Sequence, residues 1–189
     1  MTAAQADLAG ATGEFNSSSG SPGSFVIDTP RVEDGAAIWR IARDSEVLDL
    51  NSSYSYLLWC RDFAATSVVA RNAAGEPIGF VTGYVRPQRP DALVVWQVAV
   101  DDAYRGKGIA GALLDALTDR VTSGLGITRV ETTVTPDNTA SDHMFTAYAA
   151  RRGAALDREV LFDGELFPAH GDVAHAPEVL YRIGPLTSG

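Results

Sequence analysis

The sequence feature that most constrains the fold is a glycine-rich loop between an apolar strand and a helix. Residues 93–100, LVVWQVAV, are apolar almost throughout, which predicts a strand buried on both faces. The residues DDAYR follow, and then the glycine loop, GKGIAG at 106–111, opens a helix predicted for 108–121. Free N–H groups and the helix dipole at a helix N-terminus attract anions, and glycine allows close approach of the backbone. The sequence therefore predicts a pyrophosphate site at this junction.

The glycine loop also matches G-x-G-x-x-G, the fingerprint of dinucleotide-binding folds, and Glu131 follows its last glycine by 20 residues. The flanking sequence excludes that interpretation. A dinucleotide-binding fold carries the fingerprint in its first βαβ unit, whereas about 80 folded residues precede it here. Glu131 lies near the start of its predicted strand, and a ribose-binding acid belongs at the end. Lys107 is followed by glycine rather than Ser or Thr, so the loop is not a P-loop either.

Charge and composition limit the possible partners. The net charge of −9 and the pI of about 4.7 argue against nucleic-acid binding through a basic surface. Apolar residues make up 46% of 189 residues, enough for the core of one domain. No apolar run is long enough to span a membrane, and the N-terminus lacks a signal pattern, so we expect a cytoplasmic protein without a membrane partner.

A metal site is not expected. Cys60 is the single cysteine, which leaves no internal disulfide and no cysteine-cluster metal site, and we interpret it as a helix core residue rather than a nucleophile. The three histidines, His143, His170 and His175, do not have the spacing of zinc ligands. We interpret them as structural or solvent-exposed.

The chain divides into a tail, one domain and a short end. Residues 1–24 are rich in Ser and Gly and are predicted to be disordered. Residues 25–184 are predicted to form the domain, and residues 185–189 a C-terminal tail.

Buried helix positions are predicted at Ile38, Ile41, Ala42, Tyr56, Leu57 and Cys60. The predicted elements, in order, are a strand at 24–28, helices within 33–43 and 51–63, an antiparallel hairpin of 66–71 with 78–85, a turn at 86–92, the strand 93–100, the helix 108–121, a strand at 129–135 parallel to 93–100, a helix within 136–153 capped by Asp137 or Asn138, and final strands that include 178–183.

The glycine loop and its flanks resemble the acetyl-CoA site of the GNAT acetyltransferases, whose pattern is Arg/Gln-x-x-Gly-x-Gly/Ala. The resemblance covers about residues 25–184 and implies an α/β fold of the α+β type. Its mixed central sheet would be splayed between the fourth and fifth strands and flanked by helices. The residues matching the pattern, which the resemblance implies bind acetyl-CoA, are Arg105, Gly106, Lys107, Gly108, Ile109 and Ala110.

The same resemblance adds three further cofactor residues. Val98 and Val100 would present backbone groups along the pantetheine arm, where a backbone N–H stabilises the oxyanion of the tetrahedral intermediate. Asn138 resembles the asparagine that many GNAT enzymes place near CoA, and it is equally explained as a helix cap.

Longer motifs narrow the family. LDLNSSYSYLLWC, IGFVTGYVRP, VWQVAV, ETTVTPDNTAS and EVLYRI resemble the diaminobutyrate acetyltransferases of ectoine biosynthesis. The resemblance implies direct acetyl transfer from acetyl-CoA to the 4-amino group of L-2,4-diaminobutyrate, a link to osmotic stress, and a homodimer. Two other functions stay open, a GNAT enzyme acting on another small amine and a non-catalytic acyl-CoA-binding sensor.

The resemblance also implies acceptor contacts. Carboxylates would bind the ammonium groups of the acceptor, and aromatic rings would contact its carbon chain. The residues favoured for these contacts are Asp49, Tyr54, Trp96 and Glu178. The alternatives are a turn cap for Asp49, a core position for Trp96 and a solvated charge for Glu178. Because the attacking amine must be neutral, either Glu178 or Asp49 is the binder and possible base.

The proton donor for the leaving thiolate is less well defined. Many GNAT enzymes use a tyrosine in the helical pattern N-x-x-A-x-x-L-Y, and alignment from Asn138 puts Phe145 at that position. Tyr148 lies about one turn further along the same helix. It is therefore the candidate acid, with a core position as the alternative.

Overall fold

The structure, a computed structural model, describes residues 24–46, 48–168 and 175–186. Nearly all of the tail predicted for 1–24 lies outside these residues, as do His170 and residues 187–189. The strands within the described residues are β1 (Val26–Asp28), β2 (Val68–Arg71), β3 (Pro77–Arg86), β4 (Arg89–Val100), β5 (Arg129–Val134), β6 (Ala155–Phe162) and β7 (Glu178–Gly184). The α-helices there are α1 (Gly35–Asp44), α2 (Ser53–Asp62), α3 (Ile109–Leu125) and α4 (Thr139–Arg151).

These strands form one mixed sheet in the order β1-β2-β3-β4-β5-β7-β6. Neighbouring strands are antiparallel except β4 and β5, which are parallel and connected through α3. The predicted order of elements and the predicted mixed sheet flanked by helices are thereby confirmed. A connection of this kind is right-handed in nearly all proteins, which is why the sequence order indicated the parallel pair.

The parallel pair splays apart soon after it forms. Residues 92–94 of β4 pair with 129–131 of β5, and beyond this point each strand pairs only with its other neighbour. The Thr132 hydroxyl donates to the Val95 carbonyl oxygen at 3.1 Å, close to where the strands diverge. The splay predicted between the fourth and fifth strands is therefore confirmed, and it leaves backbone groups of β4 without a strand partner on one side.

Two apolar clusters hold the helices to the sheet. Residues of α3 and α4 pack with β2–β5 and β7 in the larger cluster, while α1 and α2 pack with β3 and β4 in the smaller one. Tyr56 and Cys60, one turn apart on α2, are buried as predicted, but Leu57 is 40% exposed. Leu57 lies about 100° around the helix from Tyr56, which turns it towards the edge of the interface.

Two predicted boundaries are wrong. The turn expected at 86–92 is a tight connection, since β3 ends at Arg86 and β4 begins at Arg89. A register shift between Val85 and Arg86 accompanies Pro90, which has no N–H to donate to a regular ladder. The helix expected to stop at Val121 continues to Leu125 and ends at Gly126, whose φ of 68° is left-handed.

The last described residues still belong to the folded domain. Leu186 is buried in the larger cluster, and its N–H donates to the Thr128 carbonyl oxygen at 2.7 Å. The folded contacts therefore continue past residue 184, the end that the sequence indicated.

Candidate active site

The glycine loop has the backbone that an anion site requires. Gly106 and Gly108 both have a φ of 75°, a left-handed conformation that other residues adopt only with strain. A Cβ at either position would meet no protein atom within 4 Å, so the space beside the loop is open. Gly108 is the N-cap of α3, which leaves the first N–H groups of the helix without partners inside the helix.

The loop side chains have different positions. Arg105 is exposed and pairs with Asp102 at 2.7 Å, and the Lys107 ammonium lies 4.7 Å from the centre of the Tyr104 ring. Ile109 is buried in the core, so only its backbone can face a ligand, and Ala110 is half-buried. The two cations are therefore at the surface of the loop, where they add positive charge to the helix N-terminus.

Val98 and Val100 lie on the part of β4 that has left β5. They pair with Val81 and Gly79 on β3, which leaves their other edge facing the splay. This is the position that the resemblance implied for the pantetheine arm.

A cavity of about 720 Å³ lies at the splay and is called the main cavity below. Its walls come from the loop between α1 and α2, from β3, β4 and β5, from the start of α4, and from the region of β6 and β7. Of the predicted site residues, Asp49, Trp96, Asn138 and Glu178 line it. The sequence separates the first and last of these by more than 120 residues, and the fold brings them together.

Asp49 is held at the main cavity by a chain of hydrogen bonds. The buried Tyr56 hydroxyl donates to Gln97 Oε1 at 3.0 Å, and Gln97 Nε2 donates to the Asp49 carbonyl oxygen at 2.9 Å. The loop after α1 is thereby fixed to β4 while the Asp49 carboxylate stays exposed. Gln97 was not identified from sequence, although a lone polar residue in an apolar strand indicates such a role.

Trp96 forms an aromatic wall of the main cavity. Its ring is stacked with that of Trp59 at 6.3 Å, and Trp59 also contacts the Tyr84 ring. Trp96 is 52% exposed, so the prediction that this strand is buried on both faces is wrong at this position. Tyr54, in the first turn of α2, is 64% exposed and is not among the lining residues. The structure therefore does not bring the predicted contact Tyr54 to the site.

His175 and Glu178 lie together at the start of β7. Glu178 is the first residue of that strand, and the His175 ring is stacked on Phe167 with 3.8 Å between centroids. The interpretation of His175 as structural or solvent-exposed misses its place in the lining of the main cavity. Its position three residues before Glu178, a predicted acceptor contact, could have indicated from sequence that His175 lies near the site.

Arg86 and Glu131 were also missed as site residues. Both line the main cavity, and the Arg86 Nη2 donates to Glu131 Oε2. Glu131 is only 2% exposed. A carboxylate in the interior of a short β-branched strand indicates a functional group, but the spacing from the glycine loop had suggested only a ribose contact.

The candidate proton donor is not in the main cavity. Tyr148 is fully buried in the larger apolar cluster, and burial raises the pKa of its hydroxyl. The Arg152 guanidinium lies 5.6 Å from the centre of its ring. Phe145, at the position of the family tyrosine, is also buried. The structure therefore favours the core position that sequence left open for Tyr148.

Other groups are placed away from the chemistry. Cys60 is buried, and burial raises the pKa of its thiol to about 11, which confirms its interpretation as a core residue. His143 is exposed on α4. Within the described ranges there is no group of three or more His, Cys, Asp or Glu that could hold a metal ion. No helix in this part of the chain is long and apolar enough to cross a membrane.

Comparison with known proteins decides the family. The model of the acetyltransferase (GNAT) family matches residues 35–149. The chain belongs to that family. Over 188 residues it is 69% identical to the L-2,4-diaminobutyric acid acetyltransferase of Streptomyces anulatus, with all of both chains covered. The enzyme of that name from Marinococcus halophilus is 42% identical over 92% of this chain and 98% of its own.

Solved structures agree with this GNAT assignment. The diaminobutyrate acetyltransferase of Paenibacillus lautus, in complex with L-2,4-diaminobutyric acid and coenzyme A, superposes with a TM-score of 0.79. It is 36% identical, covering 86% of this chain and 95% of its own. The Ard1 protein of Thermoplasma volcanium, at 20% identity and a TM-score of 0.66, shares the fold over 85% of this chain and 97% of its own. The predicted resemblance to the diaminobutyrate acetyltransferases is confirmed.

Proposed function

We propose that this GNAT enzyme transfers the acetyl group of acetyl-CoA directly to N4 of L-2,4-diaminobutyrate, giving N4-acetyl-L-2,4-diaminobutyrate and CoA. The observation that carries the proposal is the charge of the main cavity. Among the described residues, three carboxylates, those of Asp49, Glu131 and Glu178, line it beside one guanidinium, that of Arg86. This pattern suits an acceptor with two ammonium groups and one carboxylate. The relative from Paenibacillus lautus, with that acceptor and coenzyme A bound, supports it.

In this proposal the cofactor binds mainly to the backbone. The N–H groups of the glycine loop hold the pyrophosphate, with Arg105 and Lys107 adding charge, and the pantetheine arm follows residues 98–100 into the splay. A backbone N–H of β4 stabilises the oxyanion of the tetrahedral intermediate. Asn138 caps α4 through its Oδ1, which accepts from Ser141 N–H at 3.1 Å, so its amide N–H is left to donate to CoA.

The acceptor amine loses a proton before it attacks. An alkylammonium has a pKa of about 10, so a carboxylate at the main cavity has to take that proton, directly or through water. Asp49 and Glu178 are the two proposed for this step. The neutral amine then attacks the thioester carbonyl. As the intermediate collapses, the C–S bond breaks, the CoA thiolate leaves, and the nitrogen gives its second proton to solvent to form the amide. A thiol has a pKa of about 8.5, so the thiolate leaves without a dedicated acid, and water protonates it.

The proposed enzyme acts in the cytoplasm, where acetyl-CoA is available, and its product feeds ectoine biosynthesis under osmotic stress. It is proposed to act as a homodimer. The exposed apolar side chains on and after β6, an edge strand of the sheet, support a second copy at this face; they are Val160, Phe162 and Leu166. Analytical ultracentrifugation of the wild type and of Val160→Lys tests this. The wild type should sediment as a dimer and the variant as a monomer, whereas a monomeric wild type would contradict the proposed homodimer.

The function is tested by measuring CoA release from acetyl-CoA with a panel of amines. L-2,4-diaminobutyrate should give the highest kcat/KM, and NMR of the product should show the acetyl group on N4. A polyamine or a peptide N-terminus as the best acceptor would indicate another GNAT activity. Tight acetyl-CoA binding by calorimetry without turnover on any amine would indicate an acyl-CoA sensor.

A further inference from the structure

Glu131 has one carboxylate oxygen without a hydrogen-bond partner. Its Oε2 accepts from Arg86, but no donor among the described residues hydrogen-bonds Oε1, whose ion pair with Arg182 Nε is long, at 3.9 Å. The side chain is 2% exposed, so bulk water does not solvate this oxygen. A buried charged acceptor is nearly always paired in a native protein. The unpaired oxygen of Glu131, a residue that lines the main cavity, is therefore a binding position for a donor.

Arg86, like Glu131, has a buried polar atom without a hydrogen-bond partner among the described residues. Its Nε is buried without a partner, while the guanidinium as a whole is half-exposed and lines the main cavity. One Nη binds Glu131. An arginine has five N–H donors in a planar fork, so donors remain for a second carboxylate. The pair thus offers one unpaired carboxylate oxygen and the remaining guanidinium N–H donors side by side.

The register of the sheet places this pair at one end of the main cavity. Glu131 is opposite Arg182 on β7, and Glu178 lies four residues from Arg182 on that strand. Four residues span about 13 Å of extended chain. The carboxylates of Glu131 and Glu178 are therefore in position to serve different ends of one bound molecule.

We propose that Glu131 and Arg86 together bind the α-amino-acid head group of the acceptor. Glu131 Oε1 accepts from the α-ammonium, and Arg86 donates to the α-carboxylate. The head group is thereby held away from the thioester, and the distal amine is directed to Asp49 and Glu178. The inference rests on the proposed function, and it makes Glu131 and Arg86 the residues that select α-amino acids over simple amines.

Two truncated acceptors test each contact separately. 4-Aminobutyrate is L-2,4-diaminobutyrate without the α-ammonium, and 1,3-diaminopropane is the same molecule without the α-carboxylate. Glu131→Gln should lower the ratio of kcat/KM for diaminobutyrate over 4-aminobutyrate by roughly 10- to 150-fold, the effect of one hydrogen bond to a charged group. Arg86→Met should lower the ratio for diaminobutyrate over 1,3-diaminopropane by a similar factor. Each variant should leave the other ratio nearly unchanged.

Matched controls separate selectivity from general damage. Glu159→Gln removes an exposed carboxylate that pairs with Arg182, and Arg89→Met removes an exposed arginine of the same hairpin as Arg86; both should leave the two ratios as in wild type. A ratio taken within one preparation does not depend on how much of a variant is folded. If neither variant is obtained folded, the wild type still decides, because equal kcat/KM for diaminobutyrate and 4-aminobutyrate overturns the inference.

The outcomes also separate the inference from the proposed function. No acetylation of diaminobutyrate by the wild type would overturn the proposed function. Acetylation of diaminobutyrate with both ratios unchanged in Glu131→Gln and Arg86→Met would overturn only the role of this pair.

Discussion

The glycine loop and the main cavity are built in opposite ways. The loop is one continuous segment, 106–111, and the groups proposed to bind the cofactor there are N–H groups of the backbone at the start of α3. The main cavity takes its ionisable groups from widely separated positions, and all of them are side chains; they are Asp49, Arg86, Glu131, His175 and Glu178. If the proposed roles hold, recognition of a cofactor common to many enzymes depends on one local segment, whereas recognition of one acceptor depends on how distant segments are assembled.

The difference predicts separable effects of substitutions. A change in the loop should remove cofactor binding and leave the acceptor site in place. A change in the main cavity should do the reverse. The substitutions below test this separation, from the largest expected effect to the smallest.

Gly108→Glu should abolish binding of acetyl-CoA. At a φ of 75°, a non-glycine residue costs about 1–2 kcal/mol, and the added carboxylate repels the pyrophosphate at the helix N-terminus. The open space around Gly108 leaves room for the side chain, so the fold should persist. Calorimetry with acetyl-CoA and a thermal melt check both parts. Tight binding by the variant would show that the cofactor pyrophosphate is not held at this loop.

Asp34→Asn should lower the free energy of unfolding by about 3–5 kcal/mol, the cost of leaving one charge of a buried pair unpaired. Asp34 is buried just before α1 and binds Arg71 through two hydrogen bonds of 2.7 and 2.8 Å. The matched control is Asp28→Asn, an exposed contact of the same arginine, which should cost at most about 1 kcal/mol. Because Asp34 and Arg71 belong neither to the glycine loop nor to the lining of the main cavity, the KM values for both substrates should be unchanged at temperatures where the variant is folded.

The Asp34 effect should depend on pH in one direction. Burial alone would raise the pKa of Asp34, but hydrogen bonds from the Arg71 side chain and the Arg31 backbone hold it below 3.8. The stabilisation is therefore fully present above the unfolded pKa of about 3.9 and is lost as pH falls through the lower folded value. Denaturant unfolding of wild type and variant should converge at acid pH. A constant difference between pH 7 and pH 2 would contradict the ion pair as its source.

Asp49→Asn and Glu178→Gln should each lower kcat/KM for diaminobutyrate by roughly 10- to 150-fold, with little change in acetyl-CoA affinity. Each substitution preserves volume and removes one charge, and a hydrogen bond to a charged group contributes about 1.5–3 kcal/mol. Steady-state kinetics in both substrates measures the two effects together. Asp62→Asn, an exposed aspartate at the end of α2, is the control and should have wild-type kinetics. If only the affinity for acetyl-CoA fell, the two carboxylates would belong to the cofactor site rather than to the acceptor site.

The same contrast explains what the sequence could predict. The parallel pair of strands, the helix after the glycine loop and a helix cap at Asp137 or Asn138 follow from patterns within the one stretch 93–138, and the fold confirms the pair, the helix and the cap at Asn138. Asp49, Trp96 and Glu178 were identified through family resemblance, because no local pattern relates three residues so far apart. Their presence in the main cavity agrees with that resemblance, while their roles stay predictions.

The errors have physical causes of the same kind. Tyr54 lies on the first turn of α2, and helix periodicity does not say whether a terminal turn faces a cavity or solvent. Glu131 and Arg86 were missed because their pairing depends on the register of β3, β4 and β5, which the sequence does not specify. The strand 93–100 was expected to be buried on both faces, which is wrong at Trp96, because an apolar strand beside an open cavity has the same composition as one in a closed core.

Tyr148→Phe should have the smallest effect of the four tests. The ring is fully buried between α3 and α4, away from the main cavity, so removing the hydroxyl should leave kcat within about a factor of two across the pH profile. No hydrogen bond from the buried Tyr148 hydroxyl is found among the described residues, so its removal should leave the free energy of unfolding within about 1 kcal/mol or raise it. Phe145→Tyr is the companion variant, since it restores the family tyrosine. Phe145 is itself buried against Tyr181, so a hydroxyl there would meet apolar neighbours and should destabilise the fold without raising the rate. Unchanged turnover in Tyr148→Phe would support expulsion of CoA as a thiolate, whereas a lost basic limb in its pH profile would restore Tyr148 as the proton donor.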